Sequence, residues 1–65
     1  MKPAIREDVD EKEWWLNGKL HREDGPAAEF SNGNKAWWLN DQFYGKDDDF
    51  TNESWIEFVK LELLK

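Results

Sequence analysis

Sixty-five residues make one small domain, and a chain of this size buries only about 60% of the surface its unfolded form exposes. With no cysteine, neither disulfides nor thiolate metal ligands can staple so marginal a core, and the weight falls on five Trp, four Phe and one Tyr. Nine basic against fifteen acidic side chains give a formal charge of −6, which argues against direct nucleic-acid binding, where Lys and Arg must displace phosphate counterions.

Residues 1–11 show no hydrophobic periodicity and are expected as a flexible N-terminal arm, ordered only if Ile5 and Val9 add a strand at a sheet edge. They hold no apolar stretch of signal-peptide length, and no run approaches the ~20 apolar residues of a membrane span. A cytoplasmic chain is expected, and the lack of cysteine suits a reducing compartment.

Residues 11–17 form a short aromatic run ending in Asn17-Gly18, the dipeptide that type I′ hairpin turns favour because both central residues need positive φ. Residues 19–21 then return as a second strand. Arg22, Glu23, Asp24, Gly25 and Pro26 are rich in breakers and read as a connection. A third strand at 27–30, the turn Asn32-Gly33-Asn34, a fourth strand at 35–40, a weaker turn at Asn40-Asp41 and a fifth strand at 42–44 complete an antiparallel meander. Period-2 alternation puts Trp14 and Leu16 on one face and Trp15 on the other; Trp37, Leu39 and Trp38 divide the same way. Leu20, Phe30 and Phe43 are further candidates for the principal core face.

Residues 46–65 change character. Asp47, Asp48 and Asp49 form an acidic linker, and Thr51 is an acceptable N-cap with Phe50 at the staple position before it and Glu53 in the first turn. From Trp55 the apolar spacing is helical. A helix over residues 52–64 is expected to lay Trp55, Val59 and Leu63 on the sheet. The fold class is therefore α+β, mostly β: about five short strands in two hairpin repeats over residues 12–45, with one capping helix.

The repeat is visible directly. Glu13-Trp14-Trp15-Leu16-Asn17-Gly18 returns 23 residues later as Ala36-Trp37-Trp38-Leu39-Asn40-Asp41, within the 20–50 residue range of repeat architectures. Trp14-Trp15-Leu16-Asn17-Gly18-Lys19-Leu20-His21-Arg22-Glu23-Asp24-Gly25-Pro26-Ala27 resembles the tandem repeat W-Y-L-N-G-K-L-H-R-E-D-G-P-A of bacteriophage, bacterial and giant-virus proteins, which is similar in length and hairpin character to MORN-type repeats. The second copy departs from it, with Asp41 in place of the turn Gly and Phe43-Tyr44-Gly45-Lys46 in place of L-H-R-E. The resemblance implies a β-hairpin array and no shared catalytic activity; MORN-like arrays suggest contacts to proteins or membrane surfaces by analogy alone.

No residue stands out as catalytic. His21 oriented by Asp24 could serve as a general base, but the cluster His21-Arg22-Glu23-Asp24 is better read as shaping the turn before Gly25-Pro26, with Arg22 forking to Asp24 or to a carbonyl. Asn17, Gly18, Arg22, Asp24, Gly25 and Pro26 are accordingly turn and structural positions. A calcium loop starting at Asp47 would need Gly at its sixth place and Glu at its twelfth, where Asn52 and Phe58 stand. No metal site and no cofactor are expected. The candidate partner-binding residues are Trp15 and Trp38, one indole from each doublet, which either stack across the sheet or lie beneath the helix as structural residues, or stand exposed as binding anchors, with Glu13, Asp47, Asp48 and Asp49 as an acidic rim that would steer a basic partner. The expected function is a non-enzymatic protein-interaction module of phage or viral type, acting as a monomer or small homo-oligomer. An acidic inhibitor occupying the basic nucleic-acid groove of a host enzyme and a self-assembling structural repeat are the alternatives.

Overall fold

The computed structural model describes residues 4–64. Among the described residues six strands and one helix follow in order: β1 (Ala4–Glu7), β2 (Glu11–Leu16), β3 (Lys19–Leu20), β4 (Ala28–Phe30), β5 (Lys35–Leu39), β6 (Gln42–Lys46) and α1 (Asn52–Leu63), with a 3₁₀ turn at Asp47–Asp49 before the helix. All strands belong to one antiparallel sheet in the order β1-β2-β4-β5-β6, and β3 also pairs with β2. The architecture is α+β, mostly β, an open sheet with a helix packed on it.

β3 and β4 share one lane. β2 runs against β3 through Trp15↔Leu20 and Leu16↔Lys19, and against β4 through Glu13↔Ala28 and Glu11↔Phe30. Trp14 sits at the junction: its N–H donates to the Ala27 carbonyl (2.8 Å) and its carbonyl accepts from the His21 N–H (3.0 Å). Residues 22–26 are thus an excursion from an otherwise continuous strand, and the sheet has five lanes.

Both hairpin turns carry the positive φ that residue choice anticipates: 52° and 76° at Asn17 and Gly18, 50° and 66° at Asn40 and Asp41. Both hold the same register, Leu16↔Lys19 matching Leu39↔Gln42 and Trp15↔Leu20 matching Trp38↔Phe43. The two doublets are therefore equivalent places in two equivalent hairpins. A bulge between Trp37 and Trp38 accommodates one extra residue in β6.

α1 covers the face that holds Trp37 and Leu39. These two, with Trp55 and Val59, form the buried cluster, and Tyr44, Phe50 and Phe58 pack around it. Trp37–Trp55 meet tilted at 5.4 Å between centroids, Phe50–Trp55 edge to face at 4.8 Å, and Trp55–Phe58 stacked at 5.6 Å. At about 25 cal/mol per Å², a ring burying 150–250 Å² contributes roughly 4–6 kcal/mol before entropy, so a handful of rings can hold a chain this short. The helix starts where its sequence says it should. The Thr51 hydroxyl accepts from the Ser54 N–H, the Ser54 hydroxyl accepts from the Thr51 N–H, and Phe50 staples onto Trp55.

Three expectations need correction. Of the arm expected over residues 1–11, residues 1–3 lie outside the described residues, while Ala4–Glu7 form edge strand β1, with Ile5 opposite Trp14 and without Val9. Phe30 and Phe43 are 39% and 51% exposed, and with Leu20 they lie on the face opposite the helix, because Leu20 pairs with Trp15, Phe43 with Trp38 and Phe30 with Glu11. Leu63 is 49% exposed, and Phe58 packs in the cluster instead.

Candidate interaction surface

The cross-strand row Arg6–Glu13–Ala28–Ala36–Lys46 fixes which side chains share the face away from α1. Trp15 and Trp38 each follow two residues after a member of that row and so point the same way. Leu20 and Phe43 join them by direct pairing. Glu13, Ala28 and Ala36 thus form one row across this face, and Trp15, Leu20, Trp38 and Phe43 stand beside it. No helix or strand among the described residues packs on the face.

Two contacts hold the indoles in place. The Trp15 Nε1–H donates to Glu13 Oε1 at 3.1 Å, so the polar edge of this ring is satisfied locally. Trp38 meets Phe43 edge to face, with 5.4 Å between centroids. Both indoles are half-buried, and Leu20 is half-buried beside them. An amphipathic ring anchored at one edge and open on a face is the side chain that contributes most to protein interfaces when a partner desolvates it.

The opposite side of each doublet is closed, by different means. Trp37 lies under α1 and donates its Nε1–H to the Asp47 carbonyl at 3.0 Å. Trp14 is covered by Arg22, whose guanidinium carbon is 3.9 Å from the ring centroid. Arg22 also donates to Asp24 (2.9 Å), Glu29 (3.2 Å) and the Pro26 carbonyl (3.1 Å), while its carbonyl accepts from Trp55 Nε1–H at 2.8 Å. A Cβ at Gly25 would lie 2.7 Å from the Arg22 guanidinium carbon, so only Gly leaves room for the arginine. Pro26 and Ala27, at the end of the excursion, are buried. His21, 3% exposed, accepts the Asn40 N–H at Nδ1 (3.1 Å) and meets Glu23 at Nε2 (2.8 Å). Both its ring nitrogens are engaged, and Asp24 is turned to Arg22 instead.

The three consecutive aspartates do different work. Asp47 takes φ 50° and accepts the Lys35 N–H at Oδ1 (3.0 Å), and Asp49 Oδ2 accepts the Lys46 N–H (3.0 Å). Asp48 is exposed. All three stand where β6 ends and β5 begins. The antiparallel order puts the β1–β2 turn at that same end of the sheet, so Glu7, Asp8, Asp10 and Glu11 gather there with the aspartates, among Lys12, Lys35 and Lys46. Of the sequence-derived candidates, the structure brings Glu13, Trp15 and Trp38 onto one face and sets Asp47, Asp48 and Asp49 at the sheet end. Leu20 and Phe43 were missed as members of that face, although their place opposite Trp15 and Trp38 follows from two-residue turns.

Among the described residues no cluster of three or more His, Asp and Glu is arranged to hold a metal ion, and no helix is long and apolar enough to cross a membrane. No family model matches the chain, and no curated protein or solved structure matches it either.

Proposed function

We propose that the protein is a non-enzymatic protein-interaction module that engages its partner through the sheet face opposite α1. The observation that carries this reading is the grouping of Trp15, Leu20, Trp38 and Phe43 on one uncovered face of a single-layer sheet. A core need accounts for Trp14 and Trp37; it does not account for Trp15 and Trp38. The engagement of both His21 ring nitrogens and of Asp24 supports a structural role for the cluster that looked most chemical. The matched registers of the two hairpins support the proposal that residues 12–45 are two copies of the W-Y-L-N-G-K-L-H-R-E-D-G-P-A repeat, one of them decayed. A cytoplasmic, phage-type setting belongs to the same proposal.

The test is partner capture by the intact chain and by Trp15→Ala and Trp38→Ala, each checked for folding by circular dichroism. Both variants should stay folded and lose the partner at least tenfold. If they keep the partner, or if both simply melt, the face is not the site.

The second reading, an acidic inhibitor that occupies a basic nucleic-acid groove, draws on the carboxylates gathered at one sheet end. It predicts that capture depends on Asp8, Asp10 and Asp48 more than on the indoles, and that it falls steeply with salt.

A further inference from the structure

We propose that the open edge of β1 takes up an extended segment of a basic partner protein as an additional strand of the sheet. This rests on the protein-binding reading above and specifies how the partner is held.

The backbone geometry sets out the edge. The N–H and carbonyl of Trp14 both point toward the β3/β4 lane, to Ala27 and His21. Ile5, opposite Trp14 in a regular antiparallel register, therefore turns its own N–H and carbonyl outward. Alternation gives Glu7, opposite Lys12, the same orientation. Two donors and two acceptors spaced by a dipeptide are what an incoming strand needs. All four residues of β1 are exposed, its pairing with β2 is free of bulges, and among the described residues no element covers this edge. Within β1 neither a proline nor a bulge interrupts the edge.

The surroundings select the occupant. At one end of β1 a groove is lined by Ala4, Ile5, Arg6, Trp15 and Gly18, where the small Ala4 leaves the Trp15 indole within reach of an apolar side chain on the added strand. At the other end, beyond the Glu7–Lys12 ion pair (3.2 Å), stand the exposed carboxylates of Asp8 and Asp10. A second copy of a chain with net charge −6 meets repulsion there, whereas a segment mixing apolar and cationic side chains meets complementary charge.

The experiment titrates the full chain with a fluorescent, acetylated and amidated pentapeptide alternating lysine and valine, and with two analogues N-methylated either at the valines or at the lysines. Saturable binding is expected, weakened about tenfold or more in one of the two analogues, since every second amide of a strand faces the same edge. The Ile5→Pro variant, which removes an outward N–H without touching the β1–β2 bonds, should weaken binding to a similar degree. Exchange of the Ile5 and Glu7 amides should slow on peptide addition while that of Arg6 is slow throughout. No binding, or equal binding of the parent and both analogues, overturns the proposal whatever the folding of the Ile5→Pro variant. Self-association lost in Ile5→Pro without peptide binding also overturns it and assigns the edge to a second copy. A captured partner lost with Trp38→Ala but kept with Ile5→Pro preserves the aromatic-face reading and removes the edge from it.

Discussion

Arg22, in the excursion between β3 and β4, lies over Trp14 with its guanidinium carbon 3.9 Å from the indole centroid. The cation reaches that position only because position 25 lacks a side chain, and it is held there by Asp24, Glu29 and the Pro26 carbonyl. The run His21-Arg22-Glu23-Asp24-Gly25-Pro26 thereby does for the first hairpin what α1 does for the second: it lids a tryptophan.

Gly25 and Arg22 should therefore be coupled. Gly25→Ala displaces the flexible end of Arg22 rather than backbone, so its cost is the loss of what Arg22 does. Each of Gly25→Ala and Arg22→Ala is expected to destabilise by about 1–2 kcal/mol, combining the cation–π contact with partly buried hydrogen bonds. The double variant should fall short of the sum by about 1 kcal/mol or more. Urea unfolding of the four proteins measures this; additive effects would show that Gly25 acts independently of Arg22.

Asp41 stands where the first hairpin has Gly18, at φ 66°. Its carboxylate explains the departure: Oδ1 accepts the Leu20 N–H at 2.7 Å, and the Asp41 N–H donates to the Leu20 carbonyl at 2.9 Å, tying the second turn to the first hairpin. Asp41→Gly gains about 1 kcal/mol of backbone ease and loses a bond of similar worth, so it should be near neutral. Asp41→Asn keeps an acceptor and tolerates the conformation, and should also be within about 0.5 kcal/mol of the parent. Asp41→Ala keeps the strain and loses the acceptor, and is expected to cost about 1–2 kcal/mol. Thermal melts of the three variants give the order.

These two cases mark how far local sequence carried. Turn dipeptides, the capping pair Thr51 and Ser54 with the Phe50 staple, and the alternation inside each Trp-Trp-Leu run are short-range signals, and they give hairpins, helix and faces. Leu20 and Phe43 were equally legible: a two-residue turn fixes them opposite Trp15 and Trp38, and hydrophobicity alone misdirected them to the core. What no local pattern contains is that residues 19–21 and 27–30 occupy one lane, or that Ala4–Glu7 find a partner in β2. Both depend on backbone groups of Trp14 and its neighbours being open on each side, a tertiary fact.

The doublets should be asymmetric under mutation. Trp37 is 1% exposed and contacts Trp55 and Phe50, whereas Trp38 is half-buried with Phe43 as its ring partner. Trp37→Ala removes a fully packed ring, at about 3–5 kcal/mol, which is comparable with the entire stability of a small domain. Trp38→Ala should cost about 1–2 kcal/mol and leave a folded chain. Loss of the folded circular dichroism signal in the first and its retention in the second is the expected outcome. Equal losses would mean that both faces are core, and the interaction surface would have to be sought elsewhere.

His21 supplies the last test, because its environment dictates where its proton sits. A backbone N–H can only donate, so the Asn40 bond requires a bare Nδ1, and the ring proton must reside on Nε2, where it is given to Glu23. Long-range nitrogen–proton NMR near neutral pH should show the Nε2–H tautomer almost exclusively. His21→Asn can offer an amide oxygen near the place of Nδ1 and should retain part of the contact. His21→Leu preserves apolar volume but orphans the Asn40 N–H, at an expected cost of about 1–3 kcal/mol, and should loosen the second hairpin turn before anything else. Amide exchange at Asn40 separates the two variants, fast in His21→Leu and slower in His21→Asn. An Nδ1–H tautomer in the parent would mean that the tie between the first repeat's His21 and the second repeat's turn does not form in solution, leaving the Asp41–Leu20 bonds and the Arg22 N–H to Trp38 carbonyl bond to join the hairpins at that end.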